Sequence, residues 1–140
     1  MKKRGFLLLA LCLAAALGLT ACMPTGRMNE LPADARGTYL HPNGVHTIEF
    51  TANTVSYPMI VLSTIEGNIP ISIENARLES IVSAGRDTIA VSWTHRQYFP
   101  DPAGGTGQNL VAPMEAQIRS DGSVVVSSPV GLVVGRFVRQ

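Results

Sequence analysis

The sequence predicts an all-β domain, a small antiparallel β-barrel or sandwich of about eight or nine short strands. Three observations carry this reading. Apolar and polar residues alternate with a period of two in several short runs. Turn residues, chiefly Gly, Pro, Asn and Asp, separate those runs. No internal repeat or coiled-coil pattern interrupts them.

The strands follow in order from Gly37. Ile48 and Phe50 begin the alternation near the start of the domain. Asn43-Gly44, just before them, is a signal for a two-residue type I′ hairpin, which needs positive φ at both central positions. Such a turn pairs Pro42 with Val45 and sets His41 opposite His46. Ile69, Ile71 and Ile73 alternate with Asn68, Pro70, Ser72 and Glu74, giving one buried and one solvated face. Pro70 donates no hydrogen bond, so this strand belongs at an edge or beside a bulge.

Residues 75–84 fit two readings. Asn75 has the chemistry of a helix cap, and Leu78, Ile81 and Val82 have helical spacing, with Gly85 to end the helix. The alternative, which the β-rich surroundings favour, is a strand paired with 87–95 across a turn at Ser83 to Asp87. Ile89, Val91 and Trp93 then alternate, as do Met114, Ala116 and Ile118. Tyr98 to Pro113 reads as a long Pro/Gly-rich loop, and long loops in small domains tend to be functional or mobile. Asp121-Gly122 is a second two-residue hairpin signal, and Pro129 and Gly131 precede a last strand, Leu132 to Arg139.

The first 36 residues belong to different objects. Lys2, Lys3 and Arg4 form a basic region, and Phe6 to Leu19 form an apolar run of 14 residues, shorter than the roughly 20 a membrane span needs. Leu19-Thr20-Ala21-Cys22 follows and resembles the lipobox of bacterial lipoproteins. That resemblance covers residues 1–22. It implies removal of a signal peptide, 1–21, and attachment of a diacylglycerol and an N-acyl chain to Cys22. Two or more acyl chains make a stable anchor without a transmembrane helix. Met23 stands where an aspartate would resemble an inner-membrane retention signal, so the resemblance implies the outer membrane, or the plasma membrane in a Gram-positive source; the expected orientation is toward the periplasm. Residues 22–36, with two prolines and no periodicity, read as a lipidated N-terminus and flexible tether able to span roughly 45 Å. Residues 37–140 form the single β-rich domain.

Processing changes the charge and the cysteines. After residue 21 the chain has 8 Arg and 10 acidic residues, a formal net charge of −2. No basic run remains, so nucleic-acid binding lacks its electrostatic footprint. Of the two cysteines, Cys12 leaves with the signal and Cys22 is consumed by lipid, so the domain has no disulfide and relies on burial.

No nucleophile elbow, H-E-x-x-H metal motif or phosphate-binding glycine loop occurs, which argues against an enzyme and a cofactor. His41 and His46, about 5 Å apart across the hairpin, are weak candidates for a metal pair with His95 or a carboxylate as third ligand. Without cysteines or four clear ligands, two solvated histidines are the simpler reading. Trp93 is either a core residue with a bonded N–H or the wall of a ligand cavity. Tyr98 and Phe99 are candidates for a protein-contact patch, or else they staple the loop base to the sheet.

The expected function is a non-enzymatic envelope lipoprotein that binds another protein as an accessory or scaffold factor. The alternative is a small-ligand barrel. The Gly37-Thr38-Tyr39 start and the closing Arg136-Phe137-Val138-Arg139 strand are similar to lipocalin-like barrels, and that resemblance implies an interior apolar site. A third reading is an inhibitor of a hydrolase such as lysozyme, with 99–113 as its protruding loop. The chain lacks the serine-glycine motif followed by tyrosine of membrane-bound lysozyme inhibitors.

Overall fold

A computed structural model describes residues 26–133 and 135–140. The signal region, the lipobox and Cys22 lie outside the described residues. The domain is all-β, as expected, and the described residues form ten strands and one short 3₁₀ turn at Ala33–Ala35.

The strands are β1 (Gly37–Leu40), β2 (Thr47–Phe50), β3 (Thr54–Thr64), β4 (Gly67–Arg77), β5 (Ser80–Ser83), β6 (Thr88–Phe99), β7 (Gln108–Arg119), β8 (Ser123–Ser128), β9 (Gly131–Val133) and β10 (Phe137–Arg139). Every pairing is antiparallel. The order β10–β1–β2–β3–β9–β8 closes through a β8–β10 pairing into a six-stranded barrel. β4 extends it beside β3, and β7, β6 and β5 extend it beside β8.

The alternation seen in the sequence becomes the core. Val91, Trp93, Met114, Ala116 and Ile118 are buried, and the polar residues between them on β7 face outward. They pack with Tyr39, Ile48, Phe50, Tyr57, Ile60, Leu62 and Phe137 from the barrel strands. Pro70 lies opposite Val61 on β4, which has β3 as its hydrogen-bonded neighbour, so the edge position inferred from that proline holds. Residues 80–83 are a strand paired with Ile89 to Ser92, not a helix.

Several expectations are corrected. Neither hairpin is a type I′ turn, because Asn43 and Asp121 both have negative φ. The first is a four-residue loop closed by the His41 N–H bonding the His46 carbonyl at 2.8 Å, so Pro42 does not pair with Val45. Pro42 and Asn43 are the central residues of a tight turn, since the Gly44 N–H returns to the His41 carbonyl at 2.9 Å. Asn43 Oδ1 accepts the N–H groups of Val45 and His46, an additional link that a two-residue loop lacks. The second is a three-residue loop with Gly122 at φ 85°.

The last strand is two strands. β9 pairs with β3 and β8, whereas β10 pairs with β1 and β8. Gly135, at φ 106°, sits against the His41 ring between them. The long loop is shorter than expected, because β6 and β7 pair as far as Phe99 and Gln108, leaving residues 100–107.

The expected flexible tether is docked from Gly26 onward. The Ser83 N–H bonds the Gly26 carbonyl, the Met28 N–H bonds the Ile81 carbonyl, and Arg27 bridges to Val82. Leu31 is 0% exposed and its N–H bonds the Ala52 carbonyl. The Arg139 guanidinium holds the carbonyls of Asp34 and Arg36, and Tyr39 Oη donates to the Ala35 carbonyl at 2.7 Å. From Gly26 onward, buried apolar side chains and satisfied backbone groups outweigh the lack of periodicity that suggested a flexible tether.

Antiparallel order gives the barrel two ends. One, the base, carries residues 51–53, 84–87 and 120–122 together with the docked segment 26–36. The far end carries residues 65–66, 129–130 and the loop 100–107.

Candidate functional sites

Three places combine chemistry with position. The first is a polar chain through the core. Trp93 Nε1–H donates to Tyr57 Oη at 3.2 Å, and Tyr57 Oη lies 2.5 Å from His95 Nδ1. His95 Nε2 lies 2.9 Å from Gln97 Oε1, which also accepts the Ser72 backbone N–H at 3.0 Å. One tautomer satisfies all of these groups: Tyr57 O–H donates to Nδ1, and Nε2–H donates to Gln97. No buried side-chain polar atom among the described residues lacks a partner.

Burial fixes the protonation of this chain. Desolvation lowers the His95 pKa, against a smaller upward effect of the Gln97 bond. Desolvation likewise raises that of the Tyr57 phenol, with the Trp93 bond opposing. Both groups are neutral near pH 7. His95 is 0% exposed and its ring stacks on Tyr57, with centroids 5.6 Å apart. The chain therefore pins β3 to β6 in the core, and through Gln97 it also links β6 to β4. The alternation at 89, 91 and 93 predicted that Trp93 faces inward. Tyr57 continues the inward alternation of Val55, and a bulge in β3 follows it before Ile60; spacing places the ring inside but does not reveal its partner 38 residues away.

The second place is the outer face of the β6–β7 hairpin. Tyr98 is 56% exposed and Val111 53% exposed. Tyr98 pairs with Asn109 and Arg96 with Val111, so Tyr98 and Val111 are diagonal neighbours on one face. Phe99 points the other way and packs partly buried against the core. The two aromatics thus divide between the readings made from sequence: Phe99 staples the loop base, and Tyr98 lies on the surface. Tyr98 also leans over Gly107, where a Cβ would strike its ring. That contact ties the loop 100–107 to the hairpin.

The third place is the far-end cleft beside the β1–β2 hairpin. His41 and His46 face each other as expected, with ring centroids 5.7 Å apart. Asn43 engages both imidazoles at Nδ1, through its backbone N–H to His41 and its side-chain amide to His46, each at 3.1 Å. His95 is not with them, because it is committed to Tyr57 and Gln97 on β6. Among the described residues no group of three or more His, Cys, Asp or Glu is placed to hold a metal ion. The two histidines instead rim a cleft of about 340 Å³ with Val61, Val133 and Phe137 as its apolar lining.

These features define a small antiparallel barrel with added strands, with large side chains buried in its core and Tyr98 and the His41–His46 pair toward its surface. No family model, curated protein or solved structure matches the chain.

Proposed function

We propose that this chain is a non-enzymatic lipoprotein of the bacterial envelope, anchored to the outer membrane through acylated Cys22 and binding a protein partner as an accessory factor. The observation that carries the binding reading is the exposed Tyr98–Val111 pair on the fully paired β6–β7 hairpin. Aromatic side chains on firm scaffolds make effective interface anchors. The core supports the same reading, because Trp93, Tyr57 and Phe50 fill the interior that a ligand would occupy.

The test is cross-linking in the native host, with the chain tagged after Gln140. A stoichiometric envelope partner that is lost with Tyr98→Ala supports the reading. Phe99 is left intact in that variant, since its packing would confuse lost binding with lost stability. Unchanged capture by Tyr98→Ala would remove this surface from consideration.

The far-end cleft favours one second reading, a small apolar ligand held against Phe137 under the two histidines. Its volume lies in the range of small-molecule sites. Native mass spectrometry of the purified protein would show a retained molecule, and Val61→Trp would displace it.

A further inference from the structure

We propose that the base of the barrel rests on phospholipid headgroups, its arginines meeting lipid phosphates, with the far end turned away from the bilayer. This rests on the lipoprotein reading of Cys22.

Chain length gives the first argument. Four Cα–Cα steps separate Cys22 from Gly26, a reach of at most about 14 Å. Gly26 is held at the base through the Ser83 N–H at 2.9 Å, and Met28 through the Ile81 carbonyl at 2.8 Å. Acyl chains on Cys22 therefore keep this end of the barrel beside the bilayer. The roughly 45 Å of an undocked tether would impose no orientation.

Charge placement gives the second. The docked segment runs between two clefts, and Met28 lines both. Arg27 and Arg77 line one, and Arg86, Arg119 and Arg139 line the other. These are five of the eight arginines that follow residue 21. Arg27, Arg77 and Arg86 are exposed and make no side-chain hydrogen bond or ion pair among the described residues. Guanidinium groups pair strongly with phosphate. Asp34, Asp87, Asp121 and Glu79 line the same clefts, so the surface suits headgroups that carry an ammonium beside the phosphate. Of these, Asp121 is already engaged by the N–H and O–H of Ser123. The far end presents exposed Ile65, Val130 and Leu132 away from the lipid.

Hydrogen–deuterium exchange of the mature protein tests this. The protein is purified from membranes and placed in nanodiscs of phosphatidylethanolamine and phosphatidylglycerol, then compared with the same protein in neutral detergent. Amides at 84–87 and 120–122 are expected to exchange at least about fivefold more slowly in the discs, and those at 65–66 and 129–130 at an unchanged rate. The triple variant Arg27→Gln, Arg77→Gln, Arg86→Gln should lose most of that protection while keeping its anchor. Equal exchange at both ends, or protection of the far end, overturns the proposal. Mass spectrometry of the same sample separates the two layers. An unmodified Cys22 removes the lipoprotein reading together with this one, whereas an acylated Cys22 with an unprotected base removes this one alone.

Discussion

Tyr57 on β3 and His95 on β6 meet side chain to side chain inside the barrel, 38 residues apart in sequence and 2.5 Å apart at Oη and Nδ1. The Tyr57 hydroxyl is the one group that serves both Trp93 and His95. Removing it with Tyr57→Phe leaves a buried N–H and a buried ring nitrogen without partners. Unsatisfied buried groups cost about 1–3 kcal/mol each, so the variant should lose roughly 2–6 kcal/mol in urea unfolding. A loss below about 0.5 kcal/mol would show that the polar chain contributes little.

Acid should weaken the domain through His95. Its folded pKa lies below the ordinary value of 6.5, principally by desolvation. The unfolded chain then binds more protons in the interval between the two pKa values, so stability rises with pH there. The stabilisation is fully present above the unfolded value and is lost as pH falls from about 6.5 toward the folded pKa. Urea midpoints at pH 7.5 and pH 5 measure this. His95→Gln should flatten the dependence across that interval, and an unflattened profile would assign the titration elsewhere.

The two aromatics at the loop base should separate binding from stability. Tyr98→Ala is expected to change stability by less than about 0.5 kcal/mol, as exposed substitutions usually do. Phe99→Ala, which removes packing against the core, should cost about 1–3 kcal/mol. Thermal unfolding of both variants beside the cross-linking assay distinguishes them; equal costs would mean that Tyr98 also supports the fold.

Docking of the N-terminal segment rests on Leu31. Leu31→Ala removes a side chain with 0% exposure and should cost about 2–5 kcal/mol. It should also speed amide exchange at Met28 and Ser83, whose bonds hold the segment to β5. Exchange that stays slow at both would show the segment held without Leu31.

Gly131 lies where the β8–β9 turn meets β3. A Cβ there would stand 2.5 Å from the Ser63 carbonyl oxygen and 3.0 Å from Thr64 Cγ2. Backbone cannot yield as a flexible side chain does, so Gly131→Ala should cost about 1–3 kcal/mol. Urea unfolding measures that loss. A neutral variant would mean that the far-end turns shift freely.

The class of this domain is legible in its residue order. Period-two burial is a local property of a pleated strand, so Ile71, Val91, Trp93, Met114 and Ile118 were legible as core from their spacing alone. Pro70 announced an edge because a missing N–H has the same consequence in any sheet. The hairpin positions were legible too, but not their type: Asn43 and Asp121 serve as hydrogen-bond acceptors for the turn instead of adopting positive φ. Tertiary structure alone decided the rest, because each remaining feature is a meeting of distant segments. The last strand divides since β9 and β10 need different neighbours. The apparent tether docks since β5 offers it an unpaired edge and Leu31 finds a buried site. His95 belongs with Tyr57 rather than His41, since the two rings face inward from β6 and β3 and meet in the core, and burial then disfavours the charged form of both.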